Sequence, residues 1–219
     1  SKEAQEYFKQ ISKLTVKFEK DEVAEKSIIL AFDKKCADNR KEWLLESTEK
    51  KSSELELNYG SISTLSVTDF IHKDLVNFSL ADLTRSVAHM CDGFKPSQRK
   101  SLFACFKKNL KEDMKVAQLA AYVSEKTSYH HGETSLADTI VKLAQNYMGS
   151  NNINFLEPSG QFGTRLQGGK DASQTRYIFT RLTKDARNFF HSSDDNVLKY
   201  LEDDGNMIEP EYYVPVMPT

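Results

Sequence analysis

Glycine placement is the strongest constraint on how this chain folds. Of nine glycines in 219 residues, none lies among the first 59, and four fall within ten residues, Gly160, Gly163, Gly168 and Gly169. The five prolines also avoid the first 59 residues, 25 of which are charged. Without either residue a chain has no easy way to turn sharply. Residues 3–13 and 39–56 therefore read as helices with charged faces, with Trp43, Leu44 and Leu45 as an apolar contact strip. The polar, small, β-prone stretch 58–68 marks a division. We expect a helical connector over 1–68 and a second domain over 69–219.

The second domain begins with helical text. Ser79 with Asp82 has the form of a capping pair, followed by Leu80, Leu83, Val87 and Met90 at helical spacing. Asp92-Gly93-Phe94-Lys95-Pro96 is a turn, with Pro96 where a first helical turn tolerates it. The next helix carries Leu102, Phe103, Phe106 and Leu110, and a third carries Val116, Leu119, Ala120 and Val123. A fourth, entered through His130-His131-Gly132-Glu133, carries Leu136, Ile140, Leu143 and Tyr147. The clustered glycines then alternate with Arg165, Lys170 and Arg176 and lead into an expected strand, Tyr177-Ile178-Phe179-Thr180. A short helix over 185–190 and strands over 198–216, turning at Asp204-Gly205-Asn206, complete the chain. Short helices followed by glycine-rich β sequence is the order of a winged helix-turn-helix, so the fold class is α+β, mainly helical.

Charge narrows the partners. The totals are 30 basic and 32 acidic residues, net −2, which alone suggests no polyanion. Locally the signs separate. Residues 95–115 hold seven Lys/Arg and two acids, residues 160–187 hold six and two, and residues 188–219 hold seven acids and one lysine. Two basic stretches can face one polyanion behind a neutral total, or they can be ordinary solvated faces. No run of 18 apolar residues exists, so a helical membrane span is excluded. Cys36, Cys91 and Cys105 lack C-x-x-C spacing, which argues against a zinc ribbon or a disulfide framework. Nucleotide-binding P-loop, Rossmann, G-x-S-x-G and H-E-x-x-H patterns are absent.

Four groups of residues stand out. His130 and His131 diverge on a helix and would chelate a metal poorly, yet before a helix N-terminus they can donate to a phosphate. Arg99 projects toward the apolar stripe of its helix, where its charge needs an anion, an acid partner or a route to water. Lys100, Lys107 and Lys111 form a lateral stripe that either tracks a phosphate backbone or faces water. Tyr177 follows Arg176 and a basic, glycine-rich loop. A phenol becomes a nucleophile only in cationic surroundings that favour phenolate and the attacked phosphate. Neighbours on a strand point to opposite faces, so Arg176 and Tyr177 can serve one phosphate only if the backbone bends there or the phosphate lies across the strand edge.

Several motifs in one order carry a resemblance. Asp92-Gly93-Phe94-Lys95-Pro96-Ser97-Gln98-Arg99-Lys100, Tyr129-His130-His131-Gly132-Glu133, Gly149-Ser150-Asn151-Asn152 and the run from Gly160 to Tyr177 (GQFGTRLQGGKDASQTRY) are similar to the breakage-reunion region of eukaryotic-type type IIA DNA topoisomerases. Residues 1–8 and 40–44 resemble the connector after that family's metal-binding domain. The resemblance implies that Tyr177 attacks DNA to form a 5′-phosphotyrosyl link and that Arg176 supports the transition state. It further implies that Arg99 contacts the scissile phosphate, His131 and His130 lie near the cleaved strand, and Lys95, Lys100 and Lys170 follow the DNA path.

It also implies a CAP-like winged helix with a β wing running into the start of the tower region, and a homodimer acting on double-stranded DNA with a four-base stagger. ATP-driven strand passage and a nuclear location follow too, with organellar or viral versions as alternatives. Phe94 stands where the family commonly has leucine. The sequence contains no ATPase domain, no acidic Mg²⁺ cluster and no E-G-I-G segment, and it begins without Met. The expectation is a fragment, inactive alone, of an enzyme whose Mg²⁺ ligands and ATP site lie elsewhere. The alternative is a non-catalytic winged-helix DNA-binding module.

Overall fold

The computed structural model describes residues 1–49 and 57–218. Two compact units divide the chain, Ser1–Leu83 and Thr84–Thr219. The expected helix over 39–56 is present as far as residue 49, and its remainder lies outside the described residues.

The first unit is mostly helical. It comprises α1 (Lys2–Lys9), α2 (Ile11–Leu14), β1 (Lys17–Glu19), α3 (Ala24–Phe32), a 3₁₀ turn, α4 (Ala37–Glu49) and β2 (Thr64–Ser66). A helical run follows, made of α5 (Val67–Asp69), a π-helical stretch Phe70–Leu75 and α6 (Val76–Ser86). Strands β1 and β2 pair in parallel, Phe18 opposite Leu65. Its core gathers Trp43, Ile71 and Val76, with Leu44 partly buried against them, whereas Leu45 is 58% exposed. Residues 69–83 thus belong with Trp43, although the change in sequence texture comes before them.

The capping signal at Ser79 is corrected by this run. Ser79 sits inside α6, its hydroxyl donating to the Leu75 carbonyl at 2.9 Å. The same S-x-x-D pattern occurs thirteen residues earlier and is the one that acts. Ser66 Oγ accepts the Asp69 amide at 3.0 Å, satisfying a donor the first turn leaves open. With the helix ending at Ser86, Val87 and Met90 have no apolar stripe to continue and are 57% and 95% exposed.

In the second unit, α7 (Pro96–Lys108), α8 (Val116–Lys126) and α9 (Glu133–Ala144) form the helical layer. Pro96 opens α7 at a position whose amide would be unpaired anyway, and the Lys95 amide donates to Gln98 Oε1 at 2.8 Å. Asn109 ends the helix in the left-handed region, φ 51°. Leu102 and Phe106 of α7, Leu119 and Val123 of α8, and Leu136 and Ile140 of α9 meet in one core. Truncating any of these leucines would cost about 2–5 kcal/mol.

An antiparallel sheet ordered β3 (Met114–Lys115), β5 (Phe179–Leu182), β4 (Leu156–Ser159) closes the unit's other side. Met114 pairs with Thr180 and Leu156 with Leu182, so β5 is central and residues 160–178 form the wing between β4 and β5. After α10 (Ala186–Phe189), the hairpin β6 (Tyr200–Asp203) and β7 (Asn206–Pro210) turns where expected, with positive φ at Asp204 and Gly205. This is the α+β winged-helix arrangement. Three boundaries move: Leu110 and Tyr147 lie beyond the ends of α7 and α9, and Tyr177 and Ile178 precede the strand, which begins at Phe179.

Candidate nucleophile and nucleic-acid interface

Tyr177 lies on a bend fastened to the start of α8. The Val116 amide donates to the Ile178 carbonyl at 3.0 Å and the Ala117 amide to the Thr175 carbonyl at 3.2 Å, while the Tyr177 amide donates to the Gln174 carbonyl at 2.9 Å. Orphan amides of a helix N-terminus thus hold the turn, and the partial positive end of α8 lies beside it. The bend removes the difficulty of strand neighbours facing apart. Tyr177 is 67% exposed, and the Arg176 guanidinium carbon lies 5.2 Å from its ring centroid. Gln174 Oε1 accepts from Arg176 Nε at 2.8 Å and from Nη2 as well, fixing the fork on the tyrosine's side. An exposed phenol, a fixed cation and a helix N-terminus suit attack on a phosphate.

The wing loop upstream is tightly closed. Asp171 accepts the Thr164 amide at 2.8 Å, the Thr164 hydroxyl at 2.9 Å and Gln161 Nε2 at 3.2 Å. The Thr164 amide bond is the largest cause holding the Asp171 carboxyl below the ordinary aspartate value, opposed by some desolvation. Arg165 and Lys170 are exposed on this loop.

The histidines belong to a different place in the unit. A cleft of about 510 Å³ is lined by Arg85, Ser97, Lys100, His130, His131 and Ser135, among others. Ser97 and Ser135 come from the first turns of α7 and α9, so two helix N-termini border it. Such amides and hydroxyls favour an anion. His130 Nε2 is 3.4 Å from Asp203 Oδ2 at the hairpin tip, and His131 meets the Tyr129 ring edge-on at 5.4 Å. Tyr177, Arg176 and Lys170 do not line this cleft. Ser135 and Arg85 carried no motif, and Ser97 stood in one without a role of its own; only the convergence of elements brings them in.

Two basic residues are committed inside the protein. Arg99, 4% exposed, donates through Nε to Asp92 Oδ2 at 2.7 Å, and through Nη2 to Asp92 Oδ1 at 2.9 Å and the Phe94 carbonyl at 3.0 Å. Of the three ways to satisfy its charge, the fold uses the acid partner. Burial and this pairing remove the need for a phosphate that its position on the apolar stripe suggested. Lys100 likewise donates to the Thr127 carbonyl at 2.6 Å and to both Glu209 oxygens, at 2.8 and 2.9 Å, with Glu209 only 2% exposed. The expected stripe also breaks, since Lys111 falls beyond the end of α7. Lys95 is exposed just before the helix starts. Among the described residues, no group of three or more His, Cys, Asp or Glu is arranged to hold a metal ion.

A winged helix with an exposed tyrosine and an adjacent arginine on its wing defines the class of domain, and comparison with known proteins gives the family. The A-subunit family model for DNA gyrase/topoisomerase IV matches residues 85–219, and that for the C-terminal associated domain of TOPRIM matches residues 1–83. The chain belongs to this DNA gyrase/topoisomerase IV family of type IIA topoisomerases.

It is 50% identical to DNA topoisomerase 2 of Saccharomyces cerevisiae over 219 residues, all of this chain and 15% of the relative. It is also 50% identical to human DNA topoisomerase 2-alpha over 229 aligned residues, again all of this chain and 15% of the relative. A solved structure of the Plasmodium falciparum topoisomerase II DNA-binding, cleavage and re-ligation domain superposes with a TM-score of 0.79 at 45% identity, covering 99% of this chain and 29% of that one. The chain thus spans about a seventh of the length of these curated relatives.

Proposed function

We propose that this chain supplies the DNA-cleaving winged helix of a type II DNA topoisomerase, with Tyr177 as nucleophile. The observation that carries the reading is the exposed Tyr177 on a bend fastened to the α8 N-terminus, with Arg176 held over its ring. Tyr177 Oη bonds to the phosphorus of a phosphodiester as the bond to the 3′ oxygen breaks. The phenolic proton passes to water, and the departing 3′ oxygen takes one up from water. The phosphodiester energy is conserved in the 5′-phosphotyrosyl link, so the reverse attack reseals the strand. Arg176 stabilises the charge that develops on the phosphate. The cleft bordered by His130 and His131, with the exposed Lys95 and Lys170, takes flanking backbone phosphates.

In this reading the chain acts in a homodimer on double-stranded DNA, one tyrosine per strand with a four-base stagger, within a nuclear enzyme that relaxes and decatenates DNA. The expected connector over 1–68 extends in this reading to the whole first unit, residues 1–83, and residues 84–219 serve as its cleavage domain. Mg²⁺ and ATP are the family's expected cofactors. The described residues hold no acidic cluster that fits the metal, so no step is assigned to it. Among the described residues, no helix is long and apolar enough to cross a membrane. The test is denaturing-gel trapping of DNA on the full-length enzyme. Tyr177→Phe is expected to bind DNA normally and leave none attached. Undiminished trapping would sink the assignment, and a wild type that binds without ever trapping DNA would favour a plain binding module.

A further inference from the structure

The wing loop is clamped by a residue that belongs to none of the sequence motifs. Gln145 follows the last turn of α9 and is 8% exposed. Its Nε2 donates to the Phe162 carbonyl at 2.8 Å and reaches the Gly169 carbonyl at 3.5 Å, while its Oε1 accepts the Tyr147 hydroxyl at 3.3 Å. Phe162 and Gly169 stand on opposite limbs of the loop, so one amide group staples both. The limbs meet because two glycines allow it. A Cβ at Gly163 would fall 2.6 Å from Gly169 Cα, and one at Gly169 would fall 2.4 Å from Gln145 Nε2, with φ of +98° and +80° respectively. Gln145 is itself held, its carbonyl accepting from Ser150 Oγ at 3.1 Å and Asn151 Nδ2 at 2.8 Å.

From the staple the loop returns to the nucleophile. The Ser173 amide donates to the Gln161 carbonyl at 2.9 Å, and Gln174 then supplies both the backbone acceptor for Tyr177 and the side-chain acceptor for Arg176. We infer that Gln145 is a positioning residue for DNA cleavage, fixing the wing loop so that Lys170 is aimed relative to Tyr177; this rests on the reading of Tyr177 as nucleophile. The amide is specifically required. Glutamate at this position keeps the acceptor for Tyr147 but turns an oxygen toward two carbonyls, and leucine leaves the carbonyls without a donor.

The experiment compares full-length wild type, Gln145→Glu and Tyr147→Phe. Three readouts are used: trypsin cutting after Arg165 and Lys170, DNA binding, and covalent complex at saturating DNA. Gln145→Glu is expected to speed loop cutting by about 10-fold and to lower cleavage by about 10- to 100-fold with binding retained. Adding Lys170→Ala to Gln145→Glu should cost nothing further, whereas adding Lys107→Ala should be additive. A merely destabilising change would be additive with both. Tyr147→Phe, a gentler change should position 145 not tolerate substitution, is expected to lower cleavage by roughly two- to three-fold. Unchanged cleavage, or additivity with Lys170→Ala, overturns the inference. A wild type that traps no DNA overturns the Tyr177 reading and this inference with it, and is told apart because the defect appears without any substitution.

Discussion

Asp92 and Arg99 are joined as a closed pair, both side chains 5% exposed or less. The same carboxylate accepts the Phe94 amide at 3.0 Å and the Tyr213 amide at 2.8 Å. One buried acid therefore ties the turn before α7 to the segment after β7, across 121 residues of sequence. Phe94 and Tyr213, whose amides this acid accepts, belong to a five-ring cluster with Phe106, Phe155 and Phe190, with neighbouring centroids 5.0 to 6.1 Å apart.

Removing one member of this pair strands the other. Asp92→Ala is expected to cost about 3–5 kcal/mol, read by urea denaturation. Arg99→Lys keeps the charge but loses the fork, and should cost about 1.5–3 kcal/mol, the scale of one charged hydrogen bond. Stability unchanged in both variants would return Arg99 to the candidate DNA contacts.

Arg176 tests the chemistry without removing the nucleophile. Arg176→Ala in the full-length enzyme is expected to slow single-turnover cleavage at saturating DNA by on the order of 10²-fold or more. Its fold should be intact, because the side chain is exposed and its hydrogen bonds among the described residues go to Gln174. An unchanged rate would leave the arginine without a role at the phosphate.

Lys95 and Lys100, five residues apart, should behave oppositely. Lys95→Ala is expected to reduce the slope of log affinity against log salt by about one with no loss of stability. Lys100→Ala leaves Glu209 buried and unpaired, and should destabilise by about 3–5 kcal/mol. Salt-titrated binding beside denaturant melts separates the two. A destabilised Lys95→Ala together with a stable Lys100→Ala would reverse the assignment.

The thiols predict an alkaline limit. Burial pushes Cys105 up to about 12, against 9.0 for an unburied thiol, and Tyr213 is raised well above 10.0 by the same cause. The folded state therefore holds protons that the unfolded state releases. Their contribution is complete below pH 9.0 and is lost as pH rises toward 12. Thermal midpoints are expected to fall across that window, less steeply in Cys105→Ala. At pH 8 a thiol reagent should label the exposed Cys91 while sparing Cys105 until unfolding. Equal labelling of the two would contradict the burial.

The helices of the second unit were legible because their signals are local. Pro96 at a helix start and apolar residues every third or fourth position act over one or two turns, and the chain obeys them. Ser79 misled for a related reason. A serine three residues before an acid caps a helix only when the chain before it is not already helical, and Ser66 had started the run earlier. Tyr177 and Arg176 were legible as residues, but the bend that lets them act together was not. That bend depends on the amides of Val116 and Ala117, far back in the chain.

The class of fold and the order of its elements can be read from the chain, since they follow from periodicity, turn chemistry and composition over short windows, whereas the roles expected of Tyr177 and Arg176 rest on the resemblance to a family. Which cations remain available to a ligand is instead a property of the packed molecule. Arg99 and Lys100 lie in the most basic-looking motif of the chain, yet Asp92 and Glu209 engage them, the latter from 109 residues away. A buried charge must be matched wherever it comes to rest, and its match comes from whatever the packed core brings beside it. Sequence distance carries no record of that choice.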